Sequence, residues 1–149
     1  MQGKGSFMLP NFIMEDLLCE YGYTREHENV YYSKSLERVS SAAIPEIDFI
    51  YKNGGKSVSF MRGGEHIGGC ELNLLPHSSI CYLVWIYIDG KYRHQGLGAK
   101  CMNKLFYELR QKGISRLDTD TADNNVNAQG YYIKTGFVDM GRMRSYCVA

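Results

Sequence analysis

The stretch Tyr92-Arg93-His94-Gln95-Gly96-Leu97-Gly98-Ala99 follows an apolar run, Ile80 to Ile88, and opens an amphipathic segment. A strand that breaks into a Gly-rich turn at a helix start makes a cradle for anions. The first helical turn leaves backbone N–H groups without intrahelical partners, and the helix dipole adds partial positive charge at the same place. A phosphate or pyrophosphate fits there. Gly96 and Gly98 let the backbone approach such a ligand without a Cβ in the way, and Arg93 can add a charge-assisted contact to a phosphate oxygen. Read alone, Arg-x-x-Gly-x-Gly is short, and an ordinary loop before a helix satisfies it too.

The residues on either side supply the context. From Leu97, the positions Cys101, Leu105 and Leu109 form one helical stripe with Met102 and Phe106 beside it, while Lys100, Lys104, Arg110 and Lys112 can face water. Gly113 suits a C′ stop. Ile114 to Thr121 reads as a strand alternating Leu117, Thr119 and Thr121 against Arg116, Asp118 and Asp120. A helix follows from about Asn125 to Thr135, ending at Gly136. Two short strands, Phe137 to Met140 and Met143 to Val148, close the chain.

Upstream, His66 to Leu75 and Ile80 to Ile88 flank Pro76-His77-Ser78-Ser79 and predict an antiparallel pair; the second is apolar on both faces, as a central strand would be. Trp85 and Tyr87 alternate along it and read as core or cleft walls. Ser57 to Arg62 precedes the turn Gly63-Gly64. Asn53-Gly54-Gly55 is a further turn after Ile47 to Lys52, and Asn29 to Lys34 is another Tyr-rich strand. Phe12 to Tyr21 carries Ile13, Leu17 and Leu18 in a short helix pattern ending at Gly22. Met1 to Ser6 reads as a frayed end. The expected fold class is α+β: a mixed, mostly antiparallel central sheet flanked by helices, with one strand–helix–strand crossover.

Some thirty residues after the first motif stands Asn124-Asn125-Val126-Asn127-Ala128-Gln129-Gly130-Tyr131-Tyr132-Ile133-Lys134-Thr135-Gly136-Phe137. Together the two stretches resemble the GNAT superfamily of N-acetyltransferases. The family's Arg/Gln-x-x-Gly-x-Gly/Ala is similar to Arg93 to Gly98. Its second signature, an Asn three residues before an Ala, then a Tyr and finally Gly-Phe, is similar to Asn125, Ala128, Tyr132 and Gly136-Phe137. Order and spacing both agree. The resemblance covers roughly residues 57 to 146 and is weak or absent over the first fifty, where the family usually has a strand and two helices that shape the acceptor site.

The resemblance implies acetyl-CoA as co-substrate and a GNAT-like fold over residues 1–149. It implies backbone amides of Gln95, Gly96, Gly98 and Ala99 on the pyrophosphate, with Arg93, His94 and Leu97 in the same turn, and Ile88, Asp89 and Gly90 along the pantetheine arm. The amide near Ile88 would polarise the thioester carbonyl. Tyr132 falls at the family's general acid, and a phenol with a pKa near 10 can reprotonate a thiolate of similar basicity. Tyr131 falls where the family places a core residue. Asn125 is expected either to contact the cofactor or to cap the helix.

The general base stays open. Tyr82 occupies the position where histone-type members carry a Glu. In the branch that acetylates protein N-termini a carboxylate stands five residues before the motif Asn, here Asp120. Glu71 on the preceding strand is a third choice, acting through water. His94 is expected to face solvent or phosphate, His66 and His77 to sit at surface turns, and Asp89 to end its strand.

Composition narrows the partners. At 149 residues with 44% hydrophobic and 22% charged, the chain can bury a core without a metal or disulfide. Its net charge of +1, from 17 basic and 16 acidic residues, gives no basic excess for nucleic acid. Cys19, Cys70, Cys81, Cys101 and Cys147 have no Cys-x-x-Cys spacing, and no His/Cys/Asp/Glu cluster has metal-ligand spacing, so no metal is expected. Free thiols and the lack of a membrane-length apolar run favour the cytoplasm. The expected partner is a small-molecule or peptide amine, neither nucleic acid nor membrane, with a homodimer through an edge strand open. The rival expectation is a non-catalytic acyl-CoA-binding module for regulation or interaction.

Overall fold

The computed structural model describes residues 4–8, 20, 23–39 and 44–148. The helix expected over 12–21 falls, but for residue 20, outside the described residues. The strands are β1 (Lys4–Met8), β2 (Tyr23–Ser35), β3 (Asp48–Lys52), β4 (Ser57–Arg62), β5 (Glu65–Leu74), β6 (Ile80–Ile88), β7 (Arg116–Ala122) and β8 (Val138–Val148); the helices are α1 (Leu97–Gln111) and α2 (Val126–Lys134). They form one eight-stranded sheet in the order β1-β8-β2-β7-β6-β5-β4-β3. Every pairing is antiparallel except β6 with β7. The mixed, mostly antiparallel α+β expectation therefore holds.

α1 and α2 lie on one face. Every apolar position of the α1 stripe, from Leu97 to Leu109, is buried. It joins Leu83, Leu117, Phe60 and Ile67 in a core that also takes Tyr132 of α2. Cross-strand pairs fix which side chains share that face. Cys70 opposite Ile86 and Leu72 opposite Leu83 point to the helices, whereas Glu71 opposite Trp85 and Asn73 opposite Tyr82 point away. There are two strand–helix–strand crossovers where one was expected: β6–α1–β7 and β7–α2–β8, right-handed, advance across the sheet in the same direction, which puts α1 and α2 on the same side.

Several expectations change. Of Met1 to Ser6, read as a frayed end, Lys4 to Ser6 belong to β1, which pairs with β8 at the sheet edge, and residues 1–3 lie outside the described residues. The closing segment is one strand rather than two, because β8 bends at Gly141 (φ +111°) without turning back, with a register shift against Tyr31 and Tyr32. β2 is longer than residues 29–34, since β8 and β7 pair along its two sides. Asp118, expected on the polar face of β7, is 1% exposed. Its carboxylate is satisfied by Tyr31 Oη (2.5 Å), Ser33 Oγ (2.6 Å) and both Nε and Nη2 of Arg116 (3.0 Å each), which stitches β2 to β7. Trp85 and Tyr87, read as core or cleft walls, are not core: they are 43% and 40% exposed, and of the two Tyr87 stands in a cleft wall.

Candidate functional site

β6 and β7 pair only from Ile80 to Tyr82 against Arg116 to Asp118 and then part. The last link is Thr119 Oγ1, which donates to Leu83 O at 2.8 Å. Val84 has no partner on β5, because Leu72 faces Leu83 and Glu71 already faces Trp85. That bulge turns β6 away from β7. The wedge opens on a cleft of about 620 Å³, lined from β6 by Ile86, Tyr87 and Ile88, from the turn and the start of α1 by Tyr92, Arg93, His94, Gly96, Leu97 and Gly98, and from α2 by Asn127, Ala128, Tyr131 and Tyr132.

The turn ends at the bare start of α1. Gly96 is its N-cap in the left-handed region (φ +74°), with no side-chain cap. Lys100 N to Gly96 O (3.3 Å) is the first intrahelical bond, so the amides of Leu97, Gly98 and Ala99 precede it. A Cβ on Gly98 would meet Tyr131 Cε1 at 3.3 Å. Tyr131 Oη donates to Gly98 O at 2.8 Å and so ties α2 to the cradle. The turn itself is anchored: Asp89 N donates to Ile67 O (2.8 Å), Tyr92 N to Asp89 O (2.8 Å), and Tyr92 Oη to the Glu65 carboxylate.

Arg93 Nε donates to Ile88 O at 2.9 Å, which leaves its Nη groups for an anion. His94 is exposed with φ +63°, and Gln95 Nε2 reaches Lys91 O at 3.3 Å. Asp89 turns its carboxylate to His66 Nδ1 (3.4 Å) and also ends β6, as expected.

Tyr132 projects from α2 and is 6% exposed, its ring packed at 5.5 Å from Tyr32 and 5.4 Å from Phe137. Burial pushes its phenol above the ordinary value of 10; the Asp120 carboxylate adds to this, and Thr119 opposes it. The group is held protonated. Asp120 lies on the opposite side of β7 and accepts Asn29 Nδ2 at 2.5 Å. Asn125 caps α2, its Oδ1 accepting Ala128 N at 3.2 Å, so the capping half of its expectation is the one the geometry serves. Tyr82, at the base of the wedge, pairs with Asp118. Among the described residues no group of three His, Cys, Asp or Glu is placed to hold a metal ion. None of their helices is long and apolar enough to cross a membrane.

The sequence model of the acetyltransferase (GNAT) family matches residues 11–137. The chain belongs to the GNAT family. It is 28% identical over 82 residues to an aminoglycoside N(6′)-acetyltransferase type 1 of Serratia marcescens, covering 55% of this chain and 53% of that relative. The chain thus spans about half the length of the curated relative it matches. Its fold is similar to a GCN5-related N-acetyltransferase from Sphaerobacter thermophilus (TM-score 0.72, 10% identity, 99% of this chain, 59% of that one). It is also similar to a GNAT acetyltransferase from Colwellia psychrerythraea (TM-score 0.70, 13% identity, 99% and 65%).

Within this GNAT chain both sequence motifs converge on this cleft, from α1 and from α2. Three features escaped the sequence reading. Tyr131 hydrogen-bonds the cradle as well as packing in the core. Asn29, 91 residues from Asp120, is its amide partner. The exposure of Trp85 follows from the Val84 bulge. A Tyr-Tyr pair hinted at the first; the other two depend on strand register that local pattern does not carry.

Proposed function

We propose that this protein is an N-acetyltransferase that moves the acetyl group of acetyl-CoA directly to a primary amine of a small molecule or peptide. The observation that carries the reading is an uncapped helix start beside a splayed strand pair, with the buried phenol of Tyr132 on the same cleft. The fit to acetyl-CoA rests on the three open amides of α1 and on Gly96, whose φ of +74° leaves empty space where a side chain would stand. Amides from Gln95 to Ala99 and the Arg93 Nη groups would hold the pyrophosphate, with Ile88 to Gly90 along the pantetheine arm and Asn125 at the adjoining helix start. When bound, acetyl-CoA supplies the thioester whose C–S bond breaks as the C–N bond forms.

The chain's own residues handle the protons. Asp120 takes one proton from the acceptor's ammonium and releases it to water; Glu71 is the second candidate for this step. Tyr132 hands its proton to the departing sulfur and regains one from the acylated nitrogen, so it ends as it began. Acid and base stand on opposite faces of the wedge, so the two substrates reach the reacting centre from opposite sides. The aminoglycoside-modifying relative supports a small-molecule amine. Cys70, Cys81 and Cys101, free and buried among the described residues, suit a reducing cytoplasm.

The test is calorimetric titration with acetyl-CoA, CoA and ATP, followed by CoA release on an amine panel with Tyr132→Phe as control. Micromolar acetyl-CoA binding without comparable ATP binding, and turnover that Tyr132→Phe removes while binding stays, is the expected result. Binding without turnover on any amine would make the chain a non-catalytic acyl-CoA-binding module; no acetyl-CoA binding would sink both.

A further inference from the structure

The sheet face opposite the helices carries a recognition surface that acetyl transfer alone does not require. Resting on the function proposed above, we infer that the acceptor is a small molecule with at least two basic amines, whose second ammonium is held by Trp85, Tyr87 and Glu71. Trp85 and Tyr87 lie side by side, ring centroids 5.5 Å apart, and are 43% and 40% exposed, although each stands in an inner strand of the sheet. Their position is enforced. The Val84 bulge rotates β6 so that Ile86 and Ile88 take the helix face, and Gly69 leaves room for the Tyr87 ring, whose Cε1 would stand 3.4 Å from a Cβ there.

A half-exposed aromatic pair is an attractive floor for a cation. The acid beside it is Glu71, directly opposite Trp85 in the register. Asp118 on the same face is already neutralised by Arg116, so Glu71 and Asp120 are the carboxylates turned toward an incoming amine. From β7 to β5 is two strand steps, at least about 10 Å where β6 has turned away from β7, with the aromatic floor between. That span suits two ammonium groups on one flexible chain: one at Asp120 to be deprotonated and acetylated, the other at Glu71. Tyr87 also lines the cofactor-side cleft, so this surface runs into the reacting centre.

The experiment uses the matched pair hexane-1,6-diamine and n-hexylamine, which share an alkyl chain and differ in the second ammonium. Trp85 is the chain's one tryptophan, so its emission reports binding independently of turnover. The diamine should change that emission saturably and be turned over with a kcat/KM about tenfold above the monoamine, the combined worth of one cation–π contact and one exposed ion pair. Trp85→Ala should raise KM for the diamine with little change for the monoamine, Trp85→Phe should restore part of the preference, and Glu71→Gln should bring the diamine-to-monoamine ratio of kcat/KM down toward one whatever it does to the absolute rates. Equal kcat/KM for the two amines, or a preference that survives both variants, overturns the inference and leaves acetyl transfer standing. Saturable diamine binding at Trp85 without CoA release supports this surface and overturns the transfer reading. A silent Trp85 with either amine overturns the inference.

Discussion

Tyr132 shows how much of the proposed chemistry depends on one side chain's surroundings. Its ring is enclosed by Tyr32, Tyr131 and Phe137, and burial raises the phenol above 10. A raised pKa preserves the acid form below it, so Tyr132 stays a proton donor across the whole range in which amines lose their protons. The rate should climb with pH as the acceptor's ammonium is deprotonated, with no fall attributable to the phenol below about pH 10. Tyr132→Phe should lower kcat about a hundredfold or more at every pH without altering that rise or the affinity for acetyl-CoA. A rate–pH profile of both proteins is the check. Two glycines separate backbone demand from crowding. At Gly96 nothing lies within 4 Å of a Cβ, but φ is +74°, so Gly96→Ala should cost about 1–2 kcal/mol of stability by denaturant melt. At Gly68 a Cβ would stand 2.2 Å from Tyr87 O, a backbone atom, so Gly68→Ala should be far worse and yield little folded protein. Gly96 could be picked out in the sequence because its demand is local, a turn before a helix. Gly68 could not, because its demand arises from β6 pressing on β5.

At the scale of elements, the helices were legible and some strands were not. α1 declared itself by a 3.6-residue apolar stripe and a Gly-rich start, and the β5–β6 hairpin by turn residues between two apolar runs. β8 broke the pattern because Gly141 reads as a turn, yet β2 on one side holds the strand together through the bend. β2 itself begins with a charged run, Thr24 to Asn29, in which no apolar alternation marks a strand. α2 is only nine residues, too short to be stable by propensity, so its cap matters. Asn125→Ala should cost about 1 kcal/mol in thermal or urea melts, and Asn125→Asp should retain most of the cap because its carboxylate oxygen can accept Ala128 N. A loss of acetyl-CoA affinity in Asn125→Ala beyond the stability change would point to direct contact by its amide.

At the scale of the whole molecule, the sequence reading reached the α+β class with its mostly antiparallel sheet but not the threading. β7 and β8 follow one another through α2, yet β2, from much earlier in the chain, lies between them. Only partners more than 80 residues apart, such as Tyr31 and Ser33 with Asp118, hold it there, and no local period encodes such pairs. Because the sheet is continuous from β1 to β3 over one apolar core, that core should open as a unit. Three thiols report on it: Cys70 on β5, Cys81 on β6 and Cys101 on α1, all free and buried. Burial pushes Cys70 and Cys101 up to about 12 and Cys81 up to about 11. A raised thiol pKa keeps the unreactive protonated form at neutral pH, and enclosure excludes the reagent, so both effects act in the same direction. In native protein near pH 8, site-resolved mass spectrometry after alkylation should find these three unmodified, then modified together at one rate as urea crosses the unfolding midpoint. If Cys81 reacted well before Cys70 and Cys101, the β6–β7 wedge would be opening on its own while the helix layer stayed closed, and the cleft would be a moving part rather than a preformed one.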